Sequence, residues 1–199
     1  MNRYMYVWVA APLLTVSAPS LAADVHPAQE QMKQNIDAVL SVARDKSLSE
    51  AQKVKRVEAY ADRYLDYERI AALAVGAPWR EFSAVQKKAF IAAFKEMVVS
   101  MYSHSALIGA ADAQVRLLPK MTGSGNKFDV FSEIRTGSGK KYEVAYQLYR
   151  LGGAYKIYNI RVDGTSLVTV YRNQFGELIR QKGIDGAIET VKAKGLRKQ

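Results

Sequence analysis

The side chains best suited to acid–base or nucleophilic chemistry are the two histidines. His26 precedes the first predicted helix, whereas His104 lies late in the longest one, between Ser103 and Ser105. A serine hydrolase of the esterase type places its nucleophile in a Gly-x-Ser-x-Gly turn after a strand, and the chain contains no such turn. We therefore predict that the protein is not an enzyme. A secreted hydrolase that depends on His104 stays open as an alternative, and it requires an activity that the His104→Ala substitution abolishes.

Two other groups of residues have types that can bind a phosphate or a metal ion. The segment Gly137–Lys141 resembles a phosphate-binding loop, but it lacks the earlier glycine and the final Ser or Thr of that loop, so a hairpin turn fits it better. Asp62, Asp66 and Glu68 lie close together in sequence, yet helix capping and surface exposure explain them. With no cysteine and no metal-ligand spacing, the sequence predicts no metal site and no cofactor.

The charge balance of the chain is strongly basic. The 199 residues carry a formal net charge of +10, with a pI of about 9.7. Such a balance favours negatively charged partners, such as anionic lipid or an acidic protein surface, and it also fits a basic surface that only contacts water. Lys and Arg are spread along the whole chain, and no recognition motif for nucleic acid occurs. We expect no nucleic acid among the partners.

The first 22 residues have the organisation of a secretory signal peptide. Asn2-Arg3 gives a basic start, Tyr4 to Val16 is an almost unbroken apolar run, and Ser20-Leu21-Ala22 places small residues where a signal peptidase reads them. The apolar run is short for a membrane span, and an uncleaved anchor is the alternative. We predict residues 1–22 as a signal peptide and residues 23–199 as a single exported domain.

Apolar residues at helical spacing predict four helices in the first half of the chain. Ser47 and Glu50 have the spacing of a capping box for the second helix, and Ser83 and Gln86 have it for the fourth. Asp66 can cap the third helix. The predicted helices run from Ala28 to Arg44, from the Ser47 cap to about Leu65, from Tyr67 to Val75 and from the Ser83 cap to about Leu107.

After Gly109 the pattern changes to strands separated by short glycine-rich turns, which predicts a series of hairpins. The predicted strands are Gln114 to Pro119, Phe128 to Thr136, Tyr142 to Leu151 and Tyr155 to Val162. Two further helices follow, from Leu167 to Lys182 and from Asp185 to Lys194, with Gly183 between them. We predict an α+β fold in which helices pack on one face of a curved antiparallel four-stranded meander sheet.

The stretch from Tyr155 to Phe175 combines a strand, a two-residue turn and a helix. Alternation along the strand predicts that odd-numbered residues from 155 to 161 face one side and even-numbered residues the other. Asp163-Gly164 forms the turn, and Thr165 and Ser166 offer hydroxyls to the start of the helix. We predict that this strand and this helix share an apolar layer that contains an unfilled space.

An exported basic α+β domain with 12 tyrosines and no catalytic motif favours binding over catalysis. A pocket between the helices and the sheet is the expected site. Each methylene of a buried acyl chain would contribute about 0.8 kcal/mol, so such a pocket needs few polar groups. The alternative from another functional class is an envelope adaptor or inhibitor that binds protein and has a filled core.

Three segments in order along the chain resemble the MlaC, or toluene-tolerance, family of periplasmic phospholipid-binding proteins. The first runs from Tyr67-Glu68-Arg69-Ile70-Ala71 through Gly76-Ala77-Pro78-Trp79-Arg80 to Gln86, Phe90 and Phe94. The second comprises Tyr155-Lys156-Ile157-Tyr158-Asn159, Val162 to Val168 and Tyr171 to Phe175. The third is Lys182 to Ile188. Together they cover nearly the whole chain that follows the signal peptide.

This resemblance implies a periplasmic carrier that holds phospholipid acyl chains in a hydrophobic cavity between sheet and helices, with the headgroup outside. It implies that the carrier shuttles lipid between an outer-membrane lipoprotein complex and an inner-membrane ABC transporter with an MCE-domain subunit, and so maintains outer-membrane lipid asymmetry. Related members go with hopanoid or other lipid systems, so a non-phospholipid cargo stays open.

The expected lipid-binding residues come from three elements. The long helix contributes Phe94, Val98, Met101 and Tyr102. The sheet contributes Val130, Tyr146, Leu148, Tyr158 and Ile160, and the start of the following helix contributes Thr165, Leu167, Val168 and Tyr171. Packing in an ordinary core is the alternative for each of them. Arg172 is a candidate contact for a headgroup or a protein partner.

Overall fold

The computed structural model of the chain describes residues 25–195, apart from the side chains of residues 101–108 and 194–195. The predicted signal peptide, residues 1–22, therefore lies outside the described residues. Within the described range, no helix is both long enough and apolar enough to cross a bilayer.

Helices lead up to the sheet and follow it, as the apolar spacing predicts. A short 3₁₀ turn, Ala77–Arg80, separates the third helix from the fourth. The last helix is interrupted at Gly183, whose φ of 69° and ψ of −179° are not helical, and this confirms the predicted boundary between two helical segments. The helices are α1 Pro27–Arg44, α2 Glu50–Tyr64, α3 Tyr67–Val75, α4 Ala84–Asp112 and α5 Leu167–Gly195.

The predicted caps of α3 and α4 are confirmed. The Asp66 carboxylate accepts a hydrogen bond of 2.9 Å from the Arg69 N–H at the start of α3. Ser83 and Gln86 form a reciprocal capping box, in which each side chain accepts from the other residue's N–H. These bonds satisfy N–H groups that a helix leaves unpaired at its first turn.

The predicted cap of α2 is wrong by two residues. The capping box consists of Ser49 and Gln52, not of Ser47 and Glu50. The Ser47 hydroxyl instead donates a hydrogen bond of 2.6 Å to the Asp45 carboxylate in the turn before the helix. Two overlapping sequence matches were available, and the local bond to Asp45 decides between them.

The sheet is antiparallel throughout and has the strand order β1-β2-β3-β4-β5. The predicted count of four strands is wrong by one, because Thr165 and Ser166 pair with the end of β4 before the last helix begins. The strands are β1 Gln114–Ser124, β2 Lys127–Arg135, β3 Lys141–Leu151, β4 Ala154–Val162 and β5 Thr165–Ser166.

The turn between β4 and β5 is a tight two-residue hairpin. Asp163 and Gly164 have φ angles of 47° and 79°, and positive values at both central residues are the requirement of a type I′ turn. The Asp163 carboxylate also accepts a hydrogen bond of 2.8 Å from the Glu143 N–H on β3. This turn directs the chain from the sheet into α5.

A β-bulge in β4 overturns the simple alternation predicted for that strand. The pairing with β3 shifts so that Tyr158 is an extra residue between Ile157 and Asn159. A bulge places two residues opposite one and changes which side the following residues face. As a result Ile157 and Ile160 lie on the same side of the sheet, although the alternation predicts opposite sides. Tyr158 packs against Tyr149 instead, with ring centroids 6.1 Å apart.

The largest apolar cluster joins α3, α4 and α5, and we call it the aromatic cluster. Phe90 and Phe175 meet edge to face with centroids 5.2 Å apart, and Phe94 meets Tyr171 at 5.4 Å. Aromatic pairs of this geometry are favourable beyond the area that they bury. The cluster is formed by Ala71, Ala74, Val75, Phe82, Phe90, Ala93, Phe94, Met97, Tyr171, Phe175, Ile188 and Val191.

A second cluster lies between α1 and the inner face of the sheet, and we call it the sheet cluster. It is centred on Met32 of α1, with Val130, Leu148 and Ile157 from three neighbouring strands. Val130 and Leu148 are completely buried. The aromatic cluster and the sheet cluster thus hold different helices, and the space described below lies beside the sheet cluster.

Gly164→Ala tests the hairpin that leads into α5. A Cβ at this position meets no atom within 4 Å, so the expected loss comes from the positive φ alone. We expect the free energy of unfolding to fall by about 1–2 kcal/mol in urea denaturation. Gly153→Ala is the matched control, because its Cβ also meets nothing within 4 Å and its φ is not positive. Equal stability of the two variants would contradict the turn geometry.

Candidate functional site: an apolar cavity between two helices and the sheet

A cavity of about 510 Å³ lies between α1, α2, the C-terminal part of α4 and the inner face of the sheet. Its volume is within the range of small-molecule binding sites in proteins. The cavity confirms the predicted space between helices and sheet, but it lies against α1 and α2 rather than against the start of α5.

Helix α1 forms one wall because of its residue spacing. Met32, Asn35, Ile36 and Val39 recur at three- and four-residue intervals, which places them on one side of a helix. Met32 also packs in the sheet cluster, so the same side of α1 is anchored at its beginning and faces empty space further on.

Helix α2 forms the opposite wall, and it is the least buried of the helices. None of its residues is fully buried. Its inward side, with Val57, Tyr60, Ala61 and Tyr64, lines the cavity, and Val57 and Tyr60 also pack against the buried pair Val42 and Ala43 of α1. Because none of its residues is fully buried, α2 is the wall that can move at the smallest energetic cost.

The sheet and the end of α4 close the remaining sides. Ile157 and Ile160 reach the cavity together because of the bulge at Tyr158. Small residues at the end of α4 leave room where that helix approaches the sheet. The lining from these elements consists of Gly109, Ala110, Ala113, Val115, Ile134, Thr136, Tyr146, Ile157 and Ile160.

The Tyr146 hydroxyl is one of the few polar groups in the lining. The Ser132 hydroxyl, which is completely buried, donates a hydrogen bond of 3.3 Å to it. Burial raises the pKa of the Tyr146 phenol, whereas the bond from Ser132 acts in the opposite direction. Tyr146 therefore remains a neutral hydroxyl at physiological pH.

Asn35 is the polar residue of the lining that lacks a partner. Its side chain is 8% exposed, and among the described residues nothing bonds to its amide nitrogen. A buried donor without a partner costs about 1–3 kcal/mol. An apolar residue of similar size would avoid this cost.

The lining contains no charged side chain among the residues that the structure describes. The same part of the chain also contains no cluster of three His, Cys, Asp or Glu residues that could hold a metal ion. The cavity can therefore bind an uncharged apolar chain, and it offers nothing to neutralise an ion.

The structure places two of the residues expected to bind lipid, Tyr146 and Ile160, on the cavity wall. Val130 and Leu148 belong to the sheet cluster next to the cavity and do not line it. Tyr158 lies outside it, because the bulge turns its ring towards Tyr149 and the Arg69 guanidinium, which is 4.9 Å from the ring centroid.

The expected residues of α4 and α5 whose side chains the structure describes lie elsewhere. Phe94, Val98 and Tyr171 belong to the aromatic cluster or pack against it. Val168 is buried, and its N–H donates to the Asn159 side chain at 3.3 Å. Leu167 is half-buried and Thr165 is exposed, and neither lines the cavity. The side chains of Met101 and Tyr102 lie outside the described residues.

Sequence reasoning did not assign the walls from α1 and α2 to the site. Their apolar positions are visible as helical stripes, but a stripe indicates only that one side is covered. The available signal was that α1 carries apolar residues over more than one side, with Val39 and Leu40 beside the buried pair Val42 and Ala43.

The side chains considered above for catalysis, metal binding or headgroup contact have structural roles where the structure describes them. The His26 ring nitrogen Nδ1 accepts from the Ala28 N–H at 3.1 Å and caps α1. Asp62 pairs with Lys95 at 2.6 Å, and the side chain of His104 lies outside the described residues. Arg172 donates to the Leu73 carbonyl at 2.9 Å, which anchors it to the end of α3.

The segment Gly137–Lys141 is a hairpin turn, as predicted. The Gly139 N–H donates to the Thr136 carbonyl at 2.9 Å, and Gly139 has a φ of 84°. The Thr136 and Ser138 hydroxyls are bonded to each other at 2.9 Å. These bonds close the turn and use the Gly139 N–H, which a phosphate-binding loop would direct at its ligand.

Known proteins resemble this chain in sequence and in fold. The toluene tolerance protein ttg2D of Pseudomonas putida is 28% identical over 122 residues, which cover 58% of this chain and 56% of that protein. The chain thus spans little more than half the length of this relative. A protein of Ralstonia solanacearum, solved as a phospholipid-binding protein in complex with a phospholipid, matches the fold with a TM-score of 0.73 at 22% identity, over 84% of this chain and 96% of that one.

The family assignment depends on a longer match. The family model described as MlaC protein matches residues 33–193, which include every residue of the cavity lining except Met32. The chain therefore belongs to the MlaC family.

Proposed function

We propose that the protein is a periplasmic phospholipid carrier that holds acyl chains in the cavity between α1, α2 and the sheet. The observation that carries the proposal is the lining itself, which is apolar and, among the described residues, free of charge. The free energy falls when a hydrocarbon chain replaces water next to such a surface.

The energy available from an acyl chain is sufficient for a carrier. A chain with about 15 buried methylenes contributes on the order of 12 kcal/mol at about 0.8 kcal/mol each. Association costs an estimated 4–15 kcal/mol. The two amounts are of similar size. A chain that passes from a membrane to the cavity exchanges one apolar environment for another, so the net change in free energy is much smaller than the transfer from water and the lipid can be taken up and released.

The headgroup stays outside the cavity in this proposal. A phosphate inside would lose its water shell, and the described lining has no cation to replace it. The headgroup therefore remains in water at the edge of the cavity. The Ralstonia solanacearum protein, which shares this fold and is in complex with a phospholipid, supports phospholipid as the cargo.

Membership of the MlaC family supports the wider role. We propose that the carrier is exported by a signal peptide over residues 1–22 and moves lipid between an outer-membrane lipoprotein complex and an inner-membrane ABC transporter with an MCE-domain subunit. This movement would maintain outer-membrane lipid asymmetry. No step requires a catalytic residue.

Native mass spectrometry of the protein purified from bacterial periplasm tests the proposal. We expect a mass excess equal to one or more phospholipids, released by organic solvent and identified in the extract. A protein that carries no lipid and takes none from phospholipid vesicles would contradict it and favour a protein-binding adaptor. A hopanoid or another lipid in the extract would replace phospholipid as the cargo.

Ala61→Trp is expected to block the cavity. Ala61 lies on the inward side of α2, and an indole there occupies the space that an acyl chain needs. We expect phospholipid retention to fall at least about tenfold, whereas the free energy of unfolding of the lipid-free protein rises by about 0.5–2 kcal/mol, because the cavity is filled.

Ala59→Trp is the matched control, since Ala59 is exposed on the outer side of the same helix. We expect it to retain lipid as the wild type does in the same extraction and mass measurement. Equal lipid retention by the two tryptophan variants would show that the cavity is not the binding site.

Helix α2 is expected to become more rigid when cargo binds. It has no fully buried residue in the empty structure, and an acyl chain would give its inward side a surface to pack against. We expect hydrogen exchange of its amides to slow on loading with phospholipid, with little change in α3. Slowing confined to α3 and α5 would instead place the lipid near the aromatic cluster.

A further inference from the structure

The wall of the cavity contains a hydrogen-bond donor, the side-chain amide of Asn35, that has no partner among the described residues. Asn35 is 8% exposed, lines the cavity, and has an amide nitrogen with no partner among the described residues. Helix α1 holds this side chain in place, because Met32 one turn earlier is fixed in the sheet cluster.

Asn35 differs in this respect from two other polar residues of the lining, Tyr146 and Thr136. The Tyr146 hydroxyl already accepts from Ser132 at 3.3 Å, and the Thr136 hydroxyl is bonded to Ser138 at 2.9 Å. Buried polar groups in folded proteins are nearly always paired, so the Asn35 donor is available to an acceptor that a ligand brings.

We propose that the Asn35 side-chain amide donates a hydrogen bond to the carbonyl oxygen at the head of a bound acyl chain. This inference rests on the proposed function. It adds the chemical class of the cargo, a lipid with ester-linked chains. The carbonyl is the acceptor that an acyl chain offers next to its hydrocarbon part, and an alkyl ether lacks it.

Two cargoes contain such a carbonyl, the ester of a glycerophospholipid and the carboxyl group of a free fatty acid. The cavity distinguishes between them by charge. A fatty acid is ionised at neutral pH, and the described lining has no cation to pair with it. An ester is neutral and only needs one donor. The geometry therefore favours the ester.

The test compares two phospholipids with the same headgroup and chain length, one with ester and one with ether linkages. We expect the wild-type protein to prefer the diester lipid by roughly 3- to 10-fold in competitive loading, a ratio that corresponds to about 0.6–1.4 kcal/mol for one hydrogen bond. We expect Asn35→Leu to bind both lipids equally. Because the measurement is a ratio within one protein sample, partial unfolding of a variant does not change it.

Two further variants complete the experiment. Asn35→Ala removes the amide without adding bulk, and it should also abolish the preference. Val39→Ala, which shortens an apolar residue of the same wall, should weaken the binding of both lipids and keep the wild-type ratio of diester to diether binding.

Equal binding of diester and diether lipid by the wild type would overturn the inference, as would a preference that survives both substitutions of Asn35. Palmitate serves as the fatty-acid probe, and we expect it to compete poorly. If palmitate displaced both phospholipids and lost this ability in Asn35→Leu, the ester assignment would be wrong. Failure of both phospholipids to bind at all would contradict the proposed function itself, which is a distinct result.

Discussion

The central physical constraint of this structure is an apolar space that its own side chains do not fill. The cavity of about 510 Å³ leaves the apolar side chains around it without packing partners on one side, so they forfeit dispersion contacts that a filled core would supply. A fold that keeps such a space needs strong packing elsewhere and gains stability from whatever occupies the space. Cargo binding and folding are therefore thermodynamically linked.

The strong packing lies in the aromatic cluster. Rings from α4 and α5 meet edge to face around Phe90 and Phe94, and the small residues of α3 allow that helix to approach them. This arrangement leaves α1 and α2 to cover the sheet. Helix α1 is fixed through Met32, whereas α2 has no fully buried residue. The molecule thus combines a filled half that sets its shape with a loosely held wall beside the cavity.

The sequence was sufficient for the fold and for the existence of a pocket, but not for its position. Hairpin turns such as Asp163-Gly164 and caps such as Ser83 with Gln86 are local, so they are readable from neighbouring residues. Large side chains on α4 such as Phe94 can line a space as well as fill one, and the sequence pattern is the same in both cases. Only the packing partners on α3 and α5 show that Phe90, Phe94 and Met97 belong to a filled cluster, and those contacts join separate elements of the chain.

The strand β4 shows the same limit at a single residue. Alternation predicts that Tyr158 and Ile160 share a face, and no local signal marks the bulge that separates them. The register with β3 decides the matter, and it brings Ile157 and Ile160 together on the cavity wall. In the same way, the sequence does not predict that the amide of Asn35, a single asparagine in an apolar helix stripe, has no partner. That fact appears only when the surrounding side chains are in place.

The most direct test of the account is to locate the acyl chain on the protein. A phospholipid with a photoreactive diazirine on one acyl chain can be loaded, activated by light and mapped by mass spectrometry of the digested protein. The account predicts cross-links in α1 and α2, at residues 32–40 and 57–65, and on the inner face of the sheet around Tyr146 and Ile160. Cross-links concentrated around Phe94, Tyr171 and Phe175 would contradict it, because the lipid would then lie within the aromatic cluster.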